Sequence, residues 1–166
     1  METDKLLDET GWRLLTELQA EARLGFSELG RRVGLSPSAV AERVRRLEAA
    51  GIITGYRAEV DPRRVGLPLS AIVQIRAAGE NCGRIGGLVR PFPEVLECYR
   101  VTGDVSAIMR VAVASTEHLE ALIDRLGPYG STTTSLILST PVPPRAVQRP
   151  AADGLAQEPA RAERRD

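Results

Sequence analysis

The chain has 166 residues, with apolar residues at 43%, charged residues at 27%, and 22 basic side chains against 22 acidic ones. That is enough chain for one medium domain or two small ones with a packed core, and it excludes wholesale disorder. The charge balance also excludes a molecule-wide positive field, so any case for nucleic acid rests on local asymmetry.

The start, Met1-Glu2-Thr3-Asp4, lacks the basic-then-apolar pattern of a signal peptide. No apolar run approaches the roughly 20 residues of a membrane span. The expectation is a cytoplasmic protein with no membrane partner. Cys82 and Cys98 lack metal-ligand spacing and read as inert thiols. His118, the single histidine, lies in an amphipathic run and reads as a solvated helix residue. No catalytic constellation can be built around it, so no catalytic residue, metal or cofactor is expected.

Residues 6–54 read as all-helical. Leu7, Leu14, Leu15 and Leu18 recur at helical spacing, with Trp12 nearby. A short helix follows, with Ser27 as its N-cap, Leu29 and Val33 facing inward and Gly34 as its stop. Ser36 caps a third helix and Pro37 suits its first position. Val40, Val44 and Leu47 form its inward stripe, Gly51 ends it, and Ile52-Ile53-Thr54 starts an extended segment. Gly55, Pro62, Gly66 and Pro68 mark a linker over 56–69, within which Tyr56–Val60 has strand character.

From Ser70 the pattern changes. Strands are predicted over 71–75, 95–101, 106–113 and 132–139, and a helix over 82–89. Thr102-Gly103-Asp104 reads as a hairpin turn. Ser115 or Thr116 caps a second helix whose stripe is Leu119, Leu122, Ile123 and Leu126. The order βαββαβ is ferredoxin-like, an antiparallel sheet with two helices on one face. Its bare face predicts at least a dimer. Residues 141–166 hold five of the eleven prolines and read as a disordered tail.

A short helix, a glycine turn and a longer capped helix outline a helix-turn-helix at about 26–45. Residues 1–30 hold three basic and seven acidic side chains, whereas residues 31–46 hold five basic and one acidic. The positive charge therefore gathers on the two helices of that motif. On a wheel of about 100° per residue, Ser38, Glu42 and Arg45 oppose the buried stripe. Arg46 lies beside them, and Arg43 sits nearer the apolar edge. The DNA-contacting set read from this pattern is Arg31, Arg32, Ser36, Pro37, Ser38, Glu42, Arg43, Arg45 and Arg46. An arginine here either reads guanine, worth about 1–3 kcal/mol of discrimination, or holds a phosphate.

Several runs now resemble the Lrp/AsnC family, the leucine- and asparagine-responsive or feast/famine regulators. They are Leu18-Gln19-Ala20-Glu21-Ala22-Arg23, Glu28-Leu29, Val33-Gly34-Leu35-Ser36-Pro37, Glu42-Arg43-Val44-Arg45-Arg46-Leu47-Glu48 and Gly51-Ile52-Ile53-Thr54-Gly55-Tyr56. The likeness continues through Glu94-Val95, Cys98-Tyr99, Val101-Thr102-Gly103-Asp104 and Thr132-Thr133-Thr134. The resemblance implies an α+β chain, with a winged helix-turn-helix domain at 1–55 and a ferredoxin-like, RAM/ACT-like effector and assembly domain at 70–140. It implies double-stranded DNA with a roughly palindromic operator as partner, and a homodimer that assembles further into an octamer. It also implies an amino acid or derivative bound between protomers, between their RAM domains, beside Gly103, Asp104, Ser106, Thr132 and Thr134.

Two departures touch that effector site. The family's Gly-Asp-aromatic-Asp-aromatic turn appears as Gly103-Asp104-Val105-Ser106-Ala107, and its Leu-Pro-Gly-Val as Leu126-Gly127-Pro128-Tyr129. They keep open an effector-independent architectural DNA-binding protein. A siroheme-decarboxylase-like enzyme is the remaining alternative, poorly matched by a single histidine and a basic recognition helix.

Overall fold

The computed structural model describes residues 5–77, 79 and 81–150, except the side chain of Cys82. The chain divides into two units, 1–57 with 144–166, and 58–143.

The first unit is helical. Helix α1 (Glu9–Ala20) starts at Asp8, whose carboxylate accepts the Gly11 N–H at 2.8 Å. Helices α2 (Phe26–Val33) and α3 (Pro37–Ala49) follow. Leu14, Leu18, Leu29, Val33, Val40 and Val44 form one cluster, and Leu6, Leu15 and Leu47 a second. Each such side chain contributes about 1.5–3 kcal/mol through burial. The inward stripe on α3 is the one the spacing predicts.

Three local expectations change. Gly25, not Ser27, is the N-cap of α2: its carbonyl accepts the Leu29 N–H at 2.9 Å, which places Ser27 inside the first turn. No strand forms among the described residues of this unit, so the expected wing is not formed there. Ile52 and Ile53 instead donate to the Leu47 carbonyl at 2.9 and 3.2 Å and pack beside the second cluster. Part of the expected tail, 141–150, is described and lacks regular structure, but Val147 is bonded to Gln19. Residues 151–166 lie outside the described ones.

The second unit opens with a 3₁₀ turn, Pro62–Val65, capped by Asp61. Four strands follow, β1 (Leu69–Ala77), β2 (Val95–Arg100), β3 (Ala107–Val113) and β4 (Gly130–Leu136). They are joined through helices α4 (Asn81–Val89) and α5 (Thr116–Leu126). The sheet order is β2-β3-β1-β4 and all pairings are antiparallel. This is the ferredoxin-like arrangement expected from the βαββαβ order. Ala71, Val73 and Ile75 alternate inward with Ala107, Met109, Val111 and Val113, against Ile85, Val89, Leu122 and Leu126 of the helices. The opposite face carries Ile72, Gln74, Arg76, Ile108 and Arg110.

Strand β4 begins and ends earlier than predicted. Gly130 pairs with Ala77, and a Cβ at Gly130 would collide with the Arg76 carbonyl, so this close approach requires glycine. His118 also departs from expectation. The Ala114 N–H donates to its Nδ1 at 3.3 Å, and its Nε2 meets Glu94 Oε1 at 3.1 Å. Among the described residues, no helix is long and apolar enough to cross a membrane.

Candidate nucleic-acid interface and effector turn

The turn between α2 and α3 is built on glycine chemistry. Gly34 adopts φ 77°, a left-handed conformation, and its N–H donates to the Gly30 carbonyl at 2.8 Å. The Leu35 N–H joins the same acceptor at 2.9 Å. Ser36 then starts α3 by accepting the Ala39 N–H at 3.2 Å, with Pro37 in the first turn. The Ser36 and Ser38 hydroxyls lie 3.1 Å apart.

With Val40, Val44 and Leu47 buried, the outer face of α3 exposes Ser36, Pro37, Ser38, Glu42, Arg45 and Arg46. Arg45 is 68% exposed and pairs with Glu42 one turn earlier. Arg31 is exposed on α2, its guanidinium forked onto Glu28 at 2.7 and 2.9 Å. These hydrogen bonds, with those of Arg32, hold the Glu28 carboxyl at about 2, well below its ordinary range.

Two expected contact residues are committed within the unit. Arg32 bridges Glu28 and Glu17, each at 2.8 Å, and its carbonyl accepts from Arg13 at 2.6 Å. Arg43 turns back to Asp8 at the start of α1 and is only 24% exposed. The Gly11 N–H and Arg43 together keep the Asp8 carboxyl low. The sequence reading passed over an open groove of about 400 Å³ lined by Leu24, Phe26, Ala41, Val44 and Tyr56. Tyr56 donates to Glu48 at 2.9 Å, and burial together with Glu48 pushes its hydroxyl up to about 12.

The expected effector residues fall into two groups. Gly103, Asp104 and Ser106 share the β2–β3 turn, where Gly103 has φ 104°. The Ser106 N–H donates to the Ile75 carbonyl at 2.8 Å, and its hydroxyl accepts the Ala77 N–H at 3.1 Å. Part of that hydroxyl's capacity is therefore spent on the sheet. Thr132 and Thr134 pair with Ile75 and Val73 on the far side of β1. That is two strand spacings from the turn, about 10 Å.

Residues 7–48 match the family model of the AsnC-type helix-turn-helix domain, and residues 70–147 that of the Lrp/AsnC ligand binding domain. The transcriptional regulator LrpC of Bacillus subtilis is 37% identical over 133 residues, covering 80% of this chain and 92% of that protein. The chain belongs to the Lrp/AsnC family. The structure of LrpC superimposes with a TM-score of 0.77 at 36% identity, over 81% of this chain and 96% of that one.

A feast or famine regulatory protein from M. tuberculosis, solved with L-methionine, gives 0.78 at 38% identity over 84% and 97% of the two chains. A Neisseria meningitidis regulator, also solved with L-methionine, gives 0.79 at 29% identity over 85% and 96%. This Lrp/AsnC chain is a DNA-binding transcriptional regulator, with the helix-turn-helix in its first unit and the ligand-binding fold in its second. Its curated relatives carry the names of transcriptional regulators.

Proposed function

We propose that the protein acts as a homodimer whose two α3 helices enter successive major grooves of a roughly palindromic operator. Ser36, Pro37 and Ser38 lie against the groove, Arg45 and Arg46 contact base edges or phosphates, Glu42 orients Arg45, and Arg31 reaches the flanking backbone. Arg32 and Arg43 hold the motif's geometry from within. The observation that carries this reading is the outer face of α3, where two arginines stand opposite a fully buried apolar stripe.

Dimerisation uses the sheet face that carries Ile72 and Ile108 and no helix. Dimers assemble further, to an octamer. An amino acid or derivative bound between protomers, at the turn of Gly103, Asp104 and Ser106 and at Thr132 and Thr134 of β4, shifts that assembly and so the affinity for DNA. The coupling is about 1–3 kcal/mol and reciprocal between ligand and DNA. The protein works in the cytoplasm, without a cofactor or catalytic chemistry.

The test is operator binding by the Arg45→Ala and Arg46→Ala variants, followed by fluorescence anisotropy across a salt series. A phosphate contact lowers affinity for all sequences and reduces the salt slope by about one. A guanine contact relaxes specificity at one position by about 1–3 kcal/mol. Full affinity in both folded variants overturns the assignment of α3.

The commitment of the Ser106 hydroxyl to Ala77 favours a second reading, an architectural protein without an effector. A footprint that spreads without a defined half-site supports it, whereas a short protected palindrome opposes it.

A further inference from the structure

The β2–β3 turn holds a cation that comes from a different strand. Arg76 of β1 donates through Nε to the Asp104 carbonyl at 2.9 Å. Among the described residues its two terminal nitrogens meet no carboxylate. Arg31, Arg32, Arg43, Arg45, Arg63, Arg110 and Arg125, in contrast, are all paired with acids. An exposed arginine ordinarily swings freely. This one is pinned at Nε to the main chain, so its outer N–H pair is aimed in advance and loses little freedom on meeting an anion.

The surroundings are polar. Arg76 pairs with Ser131 across the β1–β4 ladder, and Gln74 with Thr133, so all four lie on the sheet face away from the helices. Asp104 is exposed on the turn, and no hydrogen bond engages its carboxylate among the described residues. In the turn Val101 and Val105 are half-buried, and Ala107 beyond it is fully buried in the core, which leaves too little apolar wall for a large hydrocarbon side chain.

We propose that Arg76 selects the ligand of this site, and that the ligand is a small acidic amino acid or a 2-oxo dicarboxylate. One carboxylate lies on the terminal nitrogens of Arg76, and an ammonium, where present, on Asp104. This rests on the reading above that the turn is the effector site.

The experiment is isothermal titration calorimetry on the full chain with L-glutamate, L-aspartate, 2-oxoglutarate, L-leucine and L-methionine. It is run on the native protein, Arg76→Gln and Arg76→Lys, with circular dichroism as the check on folding. The expected result is binding of an acidic probe, weakened about tenfold or more by Arg76→Gln and less by Arg76→Lys. Preference for leucine or methionine, with affinity indifferent to Arg76, overturns the Arg76 assignment and leaves the effector reading standing. No binding by any probe, with operator binding intact, sinks the effector reading and this assignment with it.

Discussion

Gln19 and Val147 exchange two hydrogen bonds across a sequence separation of 128 residues. The Gln19 Nε2 donates to the Val147 carbonyl at 3.0 Å, and the Val147 N–H donates to Gln19 Oε1 at 2.7 Å. A carboxamide matches a peptide group in this way, and the match places residues 144–150 in the helix-turn-helix unit.

Gln19→Ala releases that segment. Both bonds are exposed, so each contributes no more than about 0.5–1.5 kcal/mol, and the melting temperature moves little. Local opening changes far more. Tryptic cleavage after Arg145 speeds up several-fold, with Gln19→Glu intermediate because it keeps the acceptor and loses the donor. Equal cleavage rates in native and variant proteins count against the tether.

Glu28 ties the acid stability of the first unit to its arginines. Its folded value, about 2, lies below the ordinary 4.5. A lowered carboxyl stabilises the fold above the unfolded value and loses that contribution as pH falls through the folded one. Glu28→Gln is therefore less stable than the native protein at neutral pH, and the two melting curves converge as pH drops from about 4.5 towards 2. Curves that stay parallel through that window refute the linkage.

Features fixed by a few adjacent residues were legible in the sequence. The Ser36 cap with Pro37, the Gly34 stop and the stripe of Val40, Val44 and Leu47 all depend on neighbours within one or two turns. Arg43 was harder, because its partner Asp8 stands 35 residues earlier on another helix. Arg76 was passed over for a similar reason. A strand residue acquires its neighbours from register, and here register brings Asp104 to one side and Ser131 to the other. Within one chain the same register sets Thr132 and Thr134 two strand spacings from the turn.

Leu47 connects the recognition helix to the fold. It is fully buried with Leu6 and Leu15, and its carbonyl accepts from Ile52 and Ile53. Leu47→Ala costs about 2–5 kcal/mol, the range for a buried leucine whose cavity cannot close completely. Calorimetry shows a lowered transition for the first unit, while the second unit, whose core is built from other residues, keeps its own. A uniform fall of both transitions contradicts two separately packed cores.

Among the described residues Glu94 is the buried charge of the second unit, 8% exposed, with Arg125 and His118 both on Oε1. Its Oε2 is buried without a hydrogen bond. Burial pushes this carboxyl up, but a backbone hydrogen bond, His118 and Arg125 outweigh it and the net direction is down. The Ala114 N–H donates to His118 Nδ1, which leaves Nε2 for Glu94. Arg125 also stacks over Phe92, 5.0 Å from the ring centre.

Arg125→Ala removes the compensating charge and leaves the carboxylate buried on a single histidine. The loss is about 1–3 kcal/mol, between the values for an exposed pair and a fully buried one, since Arg125 itself is half exposed. Glu94→Gln costs less, because no uncompensated charge remains. The sign with pH follows from the lowered carboxyl: the native contribution is complete above the ordinary glutamate range and fades as pH falls. In Arg125→Ala that fading starts at a higher pH. Urea unfolding of both variants from neutral to acid pH measures the order and the shift, and an Arg125→Ala protein as stable as Glu94→Gln throughout refutes both.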